Sequence, residues 1–207
     1  MVQYTQNQLM VQHNSDKSSK HNNYGKFYSQ VLESERSLYK NVLEIGIWKG
    51  ASLKVWKDYF TNATIYGVDI IPDCKKYEED RVKVNIGSQV DSIFMDKVAA
   101  SCPGKSFDLI IDDGSHLMSH MKSTFDHMFQ YVKPQGYYII EDLGTCYDHP
   151  SYIAYKNAGG FKMIDYLKSL VDEINLCTFT GYESAYPVAN QIESIFFSRW
   201  MCFIKKR

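Results

Sequence analysis

The chain has 207 residues, 44% of them hydrophobic, and a formal net charge of −1. That length suits one domain with a sizeable core, and the near-neutral charge gives no case for nucleic acid or an anionic membrane surface as a partner. The 5 cysteines are an odd number without Cys-x-x-Cys spacing, which argues against a disulfide framework or a thiolate zinc site and fits a reducing compartment.

No basic segment followed by an apolar stretch opens the chain, and no apolar run approaches the ~20 residues of a membrane span. The expectation is a cytoplasmic protein with no membrane partner. Residues 1–23 are rich in Gln, Asn, Ser, Lys and His and read as a polar arm or lid ahead of a single domain spanning 24–207. A helix is expected over 24–38. Strand 41–45 then leads through a Gly turn to a helix over 51–60, strand 64–68 ends at Asp69, and strand 81–86 precedes a helix over 90–100.

Two short apolar runs, 107–111 and 136–140, read as buried parallel strands. Between them Met118, Met121, Phe125, Met128, Phe129 and Val132 recur at helical spacing until Lys133-Pro134 stops the helix. Such a unit brings the carboxyl ends of its strands to one edge, where open α/β sheets bind ligands. Those ends are Asp112-Asp113-Gly114-Ser115-His116 and Glu141-Asp142, so Asp113, Glu141 and Asp142 are expected to converge. Convergent carboxylates repel one another unless a cation neutralises them, and an all-oxygen set favours a hard ion, Mg²⁺ first. Carboxylates alone do not separate a metal site from solvated strand-end acids. Consecutive Glu141 and Asp142 reach one ion only if the chain bends between them.

Residues 143–160, with Gly144, Pro150, Gly159 and Gly160, read as an active-site loop before a helix over 161–176. Two strands, 191–197 and 200–205, close the chain with a tight turn at Ser198-Arg199, and the tail Lys205-Lys206-Arg207 reads as a solvated end. Alternating strands and helices followed by an antiparallel hairpin give a doubly wound α/β sheet of mixed direction.

Glu44-Ile-Gly46-Ile-Trp48-Lys-Gly50-Ala-Ser52 follows the first strand, and its glycines let a ligand approach the backbone at the next helix. Asp69 stands where an acid accepts hydrogen bonds from ribose hydroxyls, which points to a bound adenosine. A dinucleotide fingerprint needs glycine where Trp48 stands, which argues against NAD. Glu44 suits a ligand with a cationic amino group, such as S-adenosylmethionine.

These motifs, with Gly-Val-Asp69, Asp112-Asp-Gly-Ser-His116 and Glu141-Asp-Leu-x-Thr145-Cys-Tyr147, resemble the class I methyltransferases that methylate sugar hydroxyls on macrolides and related glycosides. Asp16-Lys17, His21 and Tyr24-Gly25 are similar to the family's N-terminal motif, and Glu193-Ser-Ile-Phe-Phe197 to its penultimate strand. The resemblance implies a Rossmann-like, mostly parallel seven-stranded sheet with helices on both faces and a C-terminal antiparallel hairpin. It implies S-adenosylmethionine and Mg²⁺ as cofactors and a sugar or glycan acceptor, a deoxyhexose by the family's habit. Metal ligands then fall on Asp113, Glu141 and Asp142, the general base on His116, and cofactor contacts on Glu44, Gly46, Gly50, Ser52, Asp69 and Asp112. The family's Gly-Asp-Gln-x-Asp reads Gly87-Ser88-Gln89-Val90-Asp91 here, which leaves the adenine contact to Ser88, Gln89 or main chain.

The implied reaction is in-line displacement of the sulfonium methyl by a sugar oxygen whose proton passes to His116, an imidazole with an ordinary pKa of ~6.5 being suited to that task. Tyr147 is a candidate to stack on the sugar, as are Tyr152 and Tyr155. Cys146 has no base partner in sequence and reads as a small packing residue. His116 and His120, four apart, have zinc-like spacing but lack the glutamate of a zinc-protease motif. Alternatives are a catechol-type methyltransferase, a metal-dependent hydrolase using the same carboxylates, and a silent cofactor- or glycan-binding module.

Overall fold

Residues Asn41–Ile45 are buried throughout, as a strand covered on both faces must be, and form the central strand β1 of the computed structural model, which describes residues 4–155 and 160–207. Parallel partners lie on either side of it: β2 (Thr64–Asp69) and then β3 (Val82–Ile86) on one, β4 (Phe107–Asp112) and then β5 (Val132–Ile140) on the other. β7 (Met201–Lys206) runs antiparallel to β5, and β6 (Ile192–Ser198) antiparallel to β7. The seven-stranded order is β3-β2-β1-β4-β5-β7-β6, the mixed sheet expected from the alternating pattern and the closing hairpin.

Helices cover both faces. α1 (Gln6–Gln12), α2 (Gly25–Leu32) and α3 (Ala51–Tyr59) pack on one, and α4 (Ser92–Ala100), α5 (Met118–Met128) and α6 (Met163–Leu176) on the other. Strand parity divides the core. Leu43, Ile45, Ile110, Tyr138 and Ile140 join the α4–α6 side, whereas Val42, Leu109, Ile111 and Ile139 join the α1–α3 side. The same alternation, continued past the strand ends, sends Glu44, Asp113 and Glu141 toward α1–α3 and Asp112 toward α4–α6.

Four boundaries differ from the sequence reading, each for a local reason. α2 stops at Leu32, short of the expected Leu38, because Glu33–Leu38 buries no apolar side chain; Leu38 is exposed and its N–H closes a turn onto Glu35. β5 begins at Val132, ahead of Pro134, because the ladder to β4 breaks between Phe107 and Leu109 and lets the Pro-containing stretch bulge out. The hairpin turn falls on Arg199-Trp200, with Trp200 in the left-handed region. The stretch 1–23, read as an arm or lid, carries α1 and buries Leu9, Met10 and Lys17 against the domain. Residues 1–3 of that stretch and Gly159 of the expected loop lie outside the described residues.

Candidate active site

The sheet reverses its winding between β1 and β4, and the crevice at their carboxyl ends is where an open α/β sheet offers a ligand site. Ile45 pairs with Asp112 there, and Asp113 donates its N–H to Ile45 O at 2.9 Å. Gly46, at φ +87°, faces this contact so closely that a Cβ would lie 2.0 Å from the Asp113 carbonyl oxygen. Only glycine fits, and the β1 turn therefore passes directly over the first acid of the site.

A cavity of about 530 Å³ opens over the turn, lined by Gly46, Trp48 and Asp69, by Ser88 and Gln89 beyond β3, and by Asp113, His116 and Asp142 beyond β4 and β5. That volume is ordinary for a small-molecule or cofactor site. Asp69 anchors its first wall: Oδ2 accepts N–H bonds from Ile47 at 3.0 Å and Trp48 at 2.9 Å, and Oδ1 accepts from Ile71 at 2.9 Å. Gln89 joins the two walls, its Oε1 accepting from Ser115 N at 2.8 Å and its Nε2 donating to Thr124 at 3.0 Å and Asp112 at 3.2 Å.

The acids divide between cavity and interior. Asp142 adopts φ 56°, ψ 32°, the bend that consecutive Glu141 and Asp142 require in order to work on one site. Asp113, Asp142 and His116 each offer one ligand atom, and these lie within 4.8 Å of one another. His116 Nε2 is 3.6 Å from Asp142 and 3.9 Å from Asp113, while its Nδ1 is buried without a hydrogen-bond partner. A mixed oxygen and imidazole set of this kind fits a hard or borderline divalent cation. Burial raises the Asp113 carboxyl above its usual range and nearby Asp142 adds to the rise, while Lys17 and His116 oppose it.

Thr145 explains part of the Glu-Asp-Leu-x-Thr motif in physical terms. Its hydroxyl donates to Asp142 O at 2.9 Å and reaches His116 O at 3.4 Å, so one side chain ties together the loops after β4 and β5. His116 itself stands ahead of α5 with φ 56°, not on the helix, and its ring meets Tyr155 edge-on at 6.0 Å. The zinc-like pair is therefore not formed: His120 Nδ1 lies 2.9 Å from Ser115 Oγ, and His120 is absent from the donor group.

Several expected residues lie behind or beside the cavity. Glu141 is buried, with Oε2 accepting from Lys17 Nζ at 2.8 Å and Oε1 from the Tyr28 hydroxyl. Glu44 is fully buried and takes a hydrogen bond from Ser52 Oγ at 2.8 Å. Asp112 accepts from Tyr138 at 3.1 Å, and burial pushes its carboxyl up to about 6. Gly50, at φ +71°, packs on the Tyr77 ring, and Ser52 lines an adjoining hollow of about 370 Å³ with Asp16 and His21. Tyr147 opens onto a separate cleft with Leu143, Lys168, Arg199 and Trp200. Of the three tyrosines read as candidates to stack on the sugar, Tyr155 lines the cavity, with its ring beside His116. Cys146 is buried and its thiol is raised by that burial, in keeping with a packing role.

Sequence reasoning assigned no role to Lys17, Tyr24 and Tyr28. Lys17 Nζ binds Asp113 Oδ2, and the Tyr24 hydroxyl binds Asp142 Oδ1. Lys17 and Tyr24 fall within the N-terminal motif noted above, so the signal was present without a chemical reading.

No protein-family profile matches the chain. It is 37% identical over 188 residues to the 8-demethyl-8-(2-methoxy-α-L-rhamnosyl)-tetracenomycin-C 3′-O-methyltransferase of Streptomyces olivaceus, covering 86% of this chain and 47% of that protein. The 8-demethyl-8-α-L-rhamnosyl tetracenomycin-C 2′-O-methyltransferase of the same organism matches at 31% identity over 208 residues, 96% of this chain and 54% of that one. The chain thus spans about half the length of these curated relatives. Among solved structures, the MycE methyltransferase of the mycinamycin biosynthetic pathway, in complex with Mg and SAH, superposes with a TM-score of 0.85 at 29% identity, over 99% of this chain and 55% of that one. With the sheet order and the strand-end motifs in agreement, this chain belongs to the family of macrolide and glycoside sugar O-methyltransferases.

Proposed function

We propose that the chain transfers a methyl group from S-adenosylmethionine to a sugar hydroxyl of a glycoside, with Mg²⁺ at the acid cluster. Relatives named for rhamnosyl and olivosyl acceptors favour a deoxyhexose as the sugar, and a related structure described with Mg, SAH and mycinamycin VI favours a glycoside as the acceptor. The observation that carries the reading is one cavity shared by Asp69, Ser88 and Gln89 at one end of the sheet edge and Asp113, His116 and Asp142 at the other.

In this reading Asp113 and Asp142 hold the ion, with Glu141 directly behind them. When bound, the metal supplies positive charge that makes an acceptor hydroxyl more acidic, and S-adenosylmethionine supplies the methyl and leaves as S-adenosylhomocysteine. His116 accepts the hydroxyl proton at Nε2, the nitrogen that faces the carboxylates. Thr145 fixes His116 relative to Asp142, so base and acid cluster keep one geometry, and Tyr155 shields the edge of the imidazole. Asp69, held by three backbone N–H groups, is oriented in advance for ribose hydroxyls. Gly46 lets the β1 turn lie against the Asp113 backbone, which keeps the cavity's two walls together.

The test is methyl transfer from labelled S-adenosylmethionine to a panel of rhamnosyl and other deoxyhexose glycosides, with catechol as a control acceptor, in Mg²⁺ and in EDTA. Labelled glycoside formed only with Mg²⁺ is the expected result. Label on catechol alone would move the assignment to the catechol class, and no label on any acceptor would refute the transferase reading.

A further inference from the structure

Lys17 is among the largest fully buried side chains of the protein, and its surroundings are almost wholly anionic. Its Nζ binds Asp113 Oδ2 and, at 2.8 Å, Glu141 Oε2, and lies 3.9 Å from Glu44 Oε1. Strand parity delivers these three acids to the same face of the sheet from β1, β4 and β5. Tyrosine hydroxyls add to the network, Tyr28 on Glu141 and Tyr24 on Asp142. A buried ammonium is tolerated only when paired and hydrogen-bonded. Burial alone would lower its pKa, but Asp113, Glu141 and Glu44 together hold it well above the ordinary value. Its backbone is fixed too, Lys17 O accepting from Tyr24 N at 2.9 Å. Nothing in the proposed transfer chemistry uses this cation.

We propose that Lys17 is a positioning residue, a permanent inner cation of the acid cluster that holds Asp113 and Glu141 in place in the metal-free protein and weakens the cluster's hold on a divalent ion. The inference rests on the metal reading of the site. Three carboxylates, Glu44, Asp113 and Glu141, gather around one ammonium, and Asp142 stands beside Asp113 in the donor group. Without that ammonium they would repel one another in the empty state and grip a divalent ion tightly. With it, the metal-free site is preformed, and an ion held by Asp113 would meet the like charge already paired with that carboxylate, an arrangement suited to reversible loading.

The experiment compares wild type, Lys17→Met and Lys17→Arg by calorimetric titration with MgCl₂ at pH 8 and by thermal melting in EDTA and in saturating Mg²⁺. Lys17→Met is expected to bind Mg²⁺ at least tenfold more tightly than wild type, to melt lower in EDTA and to recover most of the difference in Mg²⁺. Lys17→Arg, which keeps the charge, is expected to stay within about threefold of wild-type affinity. Should Lys17→Met not fold in EDTA, the same comparison is made in the Glu44→Gln background, where Lys17→Met/Glu44→Gln is expected to bind at least tenfold more tightly than Glu44→Gln alone. Unchanged or weaker affinity on loss of Lys17, beside saturable binding by wild type, overturns this inference alone. Absence of Mg²⁺ binding in every protein overturns the metal reading along with it.

Discussion

Replacing Glu44 with glutamine tests the electrostatics of the acid cluster without touching the cavity wall. Glu44 is fully buried on β1, with one oxygen on Ser52 at 2.8 Å and the other 3.9 Å from Lys17 Nζ without a hydrogen-bond partner. Burial pushes its carboxyl up from 4.5 to about 7 against the pull of Lys17. Between those two pH values the unfolded chain has released a proton that the folded chain still holds. Stability therefore falls as pH rises through that window and levels off above it. The difference corresponds to about 3 kcal/mol. Glutamine has the same shape, keeps an acceptor for Ser52 and never ionises. Urea unfolding in EDTA should find Glu44→Gln within about 1 kcal/mol of the parent at pH 4.5 and about 3 kcal/mol more stable at pH 8. A constant difference across the range, or a parent more stable at pH 8, would refute the account of Glu44 as an under-compensated buried acid.

Two further substitutions probe the cavity. His116→Ala should lower kcat by roughly 10²–10⁴-fold while leaving the affinity for S-adenosylhomocysteine within a few-fold of wild type, as read by steady-state kinetics and calorimetry. Retained full turnover would remove His116 as the base. Gly46→Ala places a methyl 2.0 Å from the Asp113 carbonyl oxygen at a φ of +87°, so it should cost at least about 1–2 kcal/mol from backbone conformation alone and abolish S-adenosylhomocysteine binding. Unaltered melting temperature and binding would mean that the β1 turn does not press on the acid site.

Strand order was legible because buried parallel strands announce themselves as short apolar runs, and each run here ends in an acid or a glycine. The meeting of Asp113 and Asp142 followed from that order, since β4 and β5 are neighbours, whereas His116 was expected there only from the resemblance. The division of labour among the acids was not legible in the same way. It depends on which face each side chain takes after its strand ends: Glu141 continues the alternation of Ile139 toward α2, while the left-handed turn at Asp142 swings the next carboxylate to the cavity. Lys17 was hidden for a different reason. It belongs to a polar segment whose composition resembles a solvated arm, and its burial is driven by carboxylates more than 90 residues away in sequence at Asp113 and Glu141. Tyr147, one of three loop tyrosines read as candidates to stack on the sugar, faces another cleft beyond the turn at Leu143–Cys146.

The central claim is that one cavity holds an adenosine donor beside a divalent cation. It is tested most directly by calorimetric titration of the protein with S-adenosylhomocysteine, repeated in Mg²⁺ and in EDTA, with MgCl₂ titrated in turn. Saturable one-to-one binding of the nucleoside, together with saturable Mg²⁺ binding that is lost in Asp113→Ala, is the predicted result. Failure to bind the nucleoside under either condition, with the protein folded, would contradict the account.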